Sequence, residues 1–432
     1  MITDTSIETG HVNPGTYEAE SCADDIIRRE DFHQVVSERY LPEYSAQGNR
    51  FCLHSDDQTM KEYMAWLAKL YEQIVASDRV PCRKTSSPDG WPMYEMTALG
   101  KRVHLCCKQF MLMEDGREGW VLDYLNHLFN PTITIMLRAM TRWAQTIAFW
   151  SDDEARVPAG SPDGESAHAL LRLVRYVRLV SNSWSFKNEW GKLRKREEDN
   201  FKSGRNTIVR VFEQCSRPLV LRLDIYLNRD YRNWRFIGET EGIYKKFIRS
   251  LREERMVPGY LEYISKREHG LSRGLHWHIM VFLDGHNHRN ALGLTRQLGE
   301  AWERIAGAGA TYFNCYTRKN AYRYNGIGLV HTSDERKIVG IRCALHYMTK
   351  RDCVLRTSDA KTQDFRQSKP RKTKPGHLGA PRKNKDSLAL VKRLLGGKRS
   401  RLPPGYKTVA SLERDSSERA PRRARPVLRS ND

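Results

Sequence analysis

At 432 residues with 39% hydrophobic side chains, the chain is long enough for two domains and tails, and apolar enough to bury a core in at least part of it. Its formal charge of +21 is unevenly placed, because residues 356–432 hold 22 Lys and Arg against 7 Asp and Glu while the body ahead is only mildly basic. Such a balance points to a polyphosphate partner, nucleic acid before an anionic membrane surface. No run approaches the ~20 apolar residues of a membrane span, and an odd number of scattered cysteines argues against a disulfide framework.

Residues 1–24 are polar and rich in Gly, Ser and Thr, which predicts a disordered N-terminus. They lack the basic start and apolar core of a signal peptide, so a cytoplasmic protein is expected. From 25 to 150 helical signals dominate and predict a helical N-terminal domain. Apolar residues recur at three- and four-residue spacing in MKEYMAWLAKLYEQIVA (60–76), and 122–150 is a second rich segment in which Pro131 should start or break a helix. The acidic, Pro- and Gly-containing stretch 151–168 is the expected linker, followed by a helical connector over 169–217.

The pattern then changes. PLVLRLDIYL (218–227) reads as a strand, 240–256 as a helix, GYLEYISKRE (259–268) as a strand and LHWHIMVFLDG (275–285) as a strand closed by an Asp-Gly turn. A helix at 290–305, a short strand at 311–316 and a helix at 334–351 complete the segment 218–355. The two strands around the short loop 269–274 should be antiparallel neighbours. These elements predict an α+β domain with a mainly antiparallel sheet flanked by helices, behind a mostly helical N-terminal region. From 356 to 432 Lys, Arg and Pro without apolar periodicity predict a flexible basic tail, interrupted by one short helix at 388–395.

Strand alternation places His276 and His278 on one face and Trp277 on the other. Glu268 ends the preceding strand, and the short loop returns the chain so that its carboxylate lies beside both imidazoles. Two imidazoles and a carboxylate with open positions suit a divalent ion such as Mg²⁺ or Mn²⁺ that also takes a substrate oxygen. Hydrogen-bonded core histidines are the plainer alternative for this pair. His286 and His288 form a rival pair on a loop, and Glu262 is the rival carboxylate. In CALHYMTKRD (343–352), Tyr347 and Lys350 stand three apart on an expected helix and would share a face. A tyrosine is a poor nucleophile at neutral pH unless a polarised phosphate and a nearby cation assist it.

His-Trp-His, an acidic residue eight positions before the first histidine, and a downstream Tyr-x-x-Lys resemble the HUH endonuclease superfamily of replication initiators and relaxases. The ordered run RLDIYL (222–227), RGLHWHIMVFLDG, GAGATYFNC (307–315), NGIGLV (325–330) and ALHYMTKRD is similar to the inovirus gene-two, or YagK/YfjJ C-terminal, family of filamentous phages and prophages. The resemblance covers about residues 218–352 and says nothing of 1–150. It implies an HUH-type fold, His276, His278 and Glu268 as metal ligands, Tyr347 as nucleophile, Lys350 as its electrostatic helper, and a structural or DNA-positioning role for Asp224. A tyrosine placed after the histidines is the order of replication initiators, and Cys343, where some initiators carry a second tyrosine, implies a single-tyrosine enzyme.

The expected activity is nicking and rejoining of single-stranded or melted origin DNA through a 5′-phosphotyrosine, alongside host replication machinery and without a membrane. No Walker-type sequence is present, so no helicase activity is expected. Two rivals differ in class: a non-catalytic DNA-binding prophage regulator that keeps the fold, and a metallo-nuclease that uses activated water.

Overall fold

A computed structural model of the chain describes residues 43–44, 50–51, 55–115, 127–151, 156–227, 237–270, 274–350, 355–357, 363–369, 386–399 and 401–406. The expected disordered stretch 1–24 lies outside the described residues, as does the end of the expected tail, 407–432.

The first core is built by α1 (Ser55–Val75), β1 (Cys82–Ser86), β2 (Pro92–Met96), α2 (Ala98–Asp115), α3 (Pro131–Ala148), β3 (Arg156–Pro158) and α4 (Pro162–Asn182). Helix α3 begins where Pro131 occupies the first turn and the Asn130 side chain accepts the Thr132 amide at 3.1 Å, satisfying a donor that the helix itself cannot. Three expectations are corrected. The region 25–150 contains an antiparallel hairpin, β1–β2, turned at Pro88–Asp89–Gly90, where Gly90 takes φ 84°. The stretch 151–168 does not act as a linker: β3 pairs with β2, Val157 is fully buried in the first core, and α4 starts at Pro162 behind a Ser161 cap. Its polar composition hid one inward-facing residue, which is all a three-residue strand requires. The connector 169–217 is also broken. The extended Ser183 ends α4 and caps α5 (Trp184–Gln214), accepting the Phe186 amide.

The second part is a fully antiparallel sheet ordered β7–β4–β6–β5–β9, with β8 also paired to β4. Its strands are β4 (Leu219–Tyr226), β5 (Tyr260–Gly270), β6 (Gly274–Leu283), β7 (Thr311–Asn314), β8 (Gly328–Leu329) and β9 (Phe365–Gln367). In β4 and over Leu275–Leu283 of β6 every side chain is buried, since both faces are covered. Leu219, Leu221, Leu223, Trp277, Ile279 and Val281 face α6 (Ile237–Arg252) and α7 (Ala291–Ala306). Val220, Met280 and Phe282 face α5, α8 (Glu335–Met348) and α9 (Asp386–Leu395). The expected strands and helices of 218–351 are all present within a few residues of their predicted bounds, and the fold is α+β.

The expectation of a flexible tail from 356 is corrected by β9, which adds an edge strand to β5, and by α9, whose Val391, Leu394 and Leu395 are buried in the core. Buried Arg342 of α8 donates to the carbonyl of Leu395, which ends α9, and beyond it to those of Lys398 at 2.7 Å and Arg401 at 2.6 Å. Basic composition was read as solvation here, whereas one cation serves a helix terminus and the apolar stripe of LALVKRLL packs beneath.

Candidate metal and tyrosine site

The register of three strands assembles the site. His276 stands opposite Glu268 of β5 and Tyr226 of β4, and His278 stands opposite Lys266 and Asp224. Pairing plus alternation therefore puts Glu268, both histidines, Asp224, Tyr226 and Arg222 on one face. The expected hairpin β5–β6 brings the carboxylate and the imidazoles together, and their ligand atoms all lie within 4.8 Å of one another. Glu268 Oε2 is 3.3 Å from His278 Nε2 and 3.7 Å from His276 Nε2. The two rings meet edge to face with centroids 5.0 Å apart.

Asp224, expected to be structural or DNA-positioning, orients a histidine. Its Oδ1 accepts from His278 Nδ1 at 2.7 Å, which fixes the ring and directs Nε2 toward Glu268. Tyr226 stacks on His276 with centroids 5.6 Å apart and holds the second ring. Burial would pull the His278 imidazole down, but the Asp224 and then the Glu268 carboxylate outweigh it and push it up to about 9. Burial would likewise raise both carboxyls, yet the imidazole charge holds each below its ordinary range. Three donors converging with one oriented ring form a set that fits a divalent cation, which would take the place of the shared proton. His276 and His278 are each less than a tenth exposed, while Glu268 opens the cluster to solvent with a quarter of its side chain exposed.

Tyr347, in the last turn of α8, lies with its ring centroid 5.3 Å from that of His278. The guanidinium carbon of buried Arg222 is 5.6 Å from the same ring and 6.0 Å from the ring of Tyr322. Arg222, Tyr226 and Tyr322 were missed in the sequence. The alternation in RLDIY shows Arg222, Asp224 and Tyr226 on one face, but nothing local says that β4 pairs with β6. Lys350 departs from its expected placement: α8 ends at Met348 and Thr349 is its cap, so Lys350 lies beyond the helix, its amide donating to the Tyr347 carbonyl at 3.2 Å. A shared helix face therefore does not position its ammonium.

The rivals fall elsewhere. Glu262 is opposite Phe282, six residues along β6 from His276, and is paired with Arg210 at 3.3 Å. His286 lies past the far end of β6 with Cys215 and Asp284.

Residues 191–365 match the family model described as the YagK/YfjJ C-terminal domain, the family whose motifs the sequence resembles, and the match gives the protein a prophage-related context. No curated protein and no solved structure matches the chain. Among the described residues, no helix is long and apolar enough to cross a membrane.

Proposed function

We propose that the protein nicks and rejoins single-stranded or melted DNA at a replication origin by a metal-dependent transesterification with Tyr347 as nucleophile. One observation carries the reading: a phenol on α8 lies ring to ring against His278, which itself belongs to a three-ligand cluster. The motif resemblance to HUH enzymes adds support by analogy only.

His276, His278 and Glu268 would hold the Mg²⁺ or Mn²⁺, which when bound polarises a phosphate oxygen and offsets transition-state charge. Asp224 keeps His278 in the orientation that presents Nε2. The Tyr347 oxygen attacks phosphorus, its proton passes to solvent, a tyrosyl–phosphate bond forms, and the bond to the 3′ oxygen breaks, that oxygen taking a proton from solvent to leave a 3′-hydroxyl. Arg222 sets a fixed positive charge beside the phenol ring, which favours the developing phenolate. Because the phosphodiester is exchanged for another phosphodiester, the same residues run the step backward to rejoin the strand, and no nucleotide hydrolysis is needed.

The test is incubation of the purified chain with origin-bearing supercoiled DNA and Mn²⁺, followed by assay for relaxed circles and protein-linked 5′ ends. Wild type is expected to form the adduct, and Tyr347→Phe to lose nicking by at least about 10³-fold. Nicking that persists in the Phe variant with free 5′-phosphate would assign a water-dependent nuclease. Binding without any adduct in wild type would assign a non-catalytic regulator.

A further inference from the structure

At the opposite end of β6 from the candidate site, Cys215, Asp284 and His286 bring a thiol, a carboxylate and an imidazole within 4.8 Å of one another. We infer that this trio is a second metal site, selective for a borderline-soft divalent cation of the Zn²⁺ class, that fastens the end of α5 to the exit of β6. The two clusters are separated by the run from His278 to Asp284, about 20 Å of extended strand at roughly 3.3 Å per residue, so one ion cannot serve both.

The three residues come from two places that the fold holds together independently. Cys215 is the C-cap of α5 and is buried, with its amide donating to the Val211 carbonyl at 2.8 Å. Asp284 follows the last residue of β6 and is fixed by its amide on the Gly259 carbonyl at 2.7 Å. Cys215 Sγ and Asp284 Oδ1 are 3.5 Å apart. A tetrahedral ion with bonds of about 2.3 Å to sulfur and about 2.0 Å to oxygen requires an S···O edge of about 3.5 Å, so the pair already has the spacing of two ligands. His286 is exposed, with Ser216 Oγ 3.4 Å from its Nε2, and leaves the fourth position open to water.

Only a cation would hold this sulfur as a thiolate. Burial pushes the Cys215 thiol up, backbone groups at Arg217 and Gly285 work against it, and the Asp284 carboxylate adds to the rise. Amide donors to sulfur stabilise its anionic form, and metal-bound thiolates are commonly supported in this way. Burial keeps the thiol protonated without a cation, so binding forms a metal–sulfur bond and releases the thiol proton to solvent. Asp284 retains ligating capacity. It accepts the His286 amide at 2.9 Å on Oδ1 and the Asn287 side chain at 2.8 Å on Oδ2, and a carboxylate has about four lone-pair directions in all. A sulfur ligand separates this site from the Glu268 cluster, which has only oxygen and nitrogen donors and suits harder ions. The inference stands whether or not Tyr347 is a nucleophile.

Co²⁺ tests it, because only a thiolate ligand gives the intense sulfur-to-cobalt charge-transfer absorption in the near ultraviolet. The full-length protein, titrated with Co²⁺, is expected to develop that band at one equivalent of thiolate-bound ion and to lose it on addition of Zn²⁺. Cys215→Ser should abolish the band, and a His276→Ala/His278→Ala double variant should keep it. His286→Ala, at an exposed position, should weaken Zn²⁺ binding at the band by about tenfold or more. A wild-type protein without the band, a band that survives Cys215→Ser, or an unchanged affinity in His286→Ala overturns the assignment. If Cys215→Ser does not fold, the His286→Ala result decides.

Discussion

His278 is held between two carboxylates, and its protonation carries the clearest pH signature in the molecule. In the ion-free protein the Asp224 and Glu268 charges overcome burial and push its imidazole up to about 9. The unfolded value is about 6.5, so the folded state binds the proton more tightly. A raised folded value contributes stability that is complete below about pH 6.5 and is lost as pH climbs through about 9. In chelator, the melting temperature read by scanning fluorimetry should therefore fall between about pH 6 and about pH 9. Asp224→Asn removes the largest of the charges and should flatten that slope, as should saturating Mn²⁺, which replaces the proton. A melting temperature that holds level or rises across the window in chelator would show that the imidazole is neutral and the carboxylate clamp is misassigned.

The Tyr347 ring depends on the seating of α8. A Cβ placed on Gly340 would collide with the backbone nitrogen of Gly326 and the carbonyl carbon of Asn325, so this helix lies directly against the loop that precedes β8. Tyr347 is seven residues, two turns, further along the same helix. Gly340→Ala meets backbone rather than a flexible side chain, and α8 must shift. The expected result is a loss of about 1–3 kcal/mol in denaturant titration together with a fall in nicking of tenfold or more, whereas Gly90→Ala in the distant hairpin should leave nicking unchanged. Nicking at the wild-type rate in Gly340→Ala would mean that the helix position does not control the phenol.

That dependence also explains what could be read in advance. The pair His276 and His278, their nearness to Glu268, and the helix start at Pro131 follow from local period and turn chemistry, which neighbouring residues determine. The Asp224–His278 bond spans 54 residues and needs the pairing of β4 with β6, a choice made by burial of both strand faces rather than by any local pattern. The spacing predicts Lys350 on a helix, but that helix is capped by Thr349 one residue earlier. The hairpin β1–β2 is a different case, because its Pro88–Asp89–Gly90 turn was visible between segments read as helical.

At the scale of the whole chain, the cores decide which fragments can fold. The buried members of the first core end at Val177, with Phe186 packed against them, and those of the sheet's two faces begin at Phe201, so α5 belongs to both at its opposite ends. The family match over 191–365 stops before α9 and loses Val391, Leu394 and Leu395 from the face that carries Tyr347. Each fully buried aliphatic side chain is worth about 1.5–3 kcal/mol, so the three together approach the ~5–15 kcal/mol stability of a whole domain. Arg342 would also keep its buried charge while losing the carbonyls of Leu395, Lys398 and Arg401. A fragment of residues 184–406 is therefore expected to unfold cooperatively and to retain Mn²⁺ binding, while 191–365 should be insoluble or melt without a sharp transition. The reverse pattern, a cooperative 191–365 that equals the longer fragment in denaturant midpoint, would mean that the basic C-terminal segment is an appendage after all and that α9 adds nothing to the seating of α8.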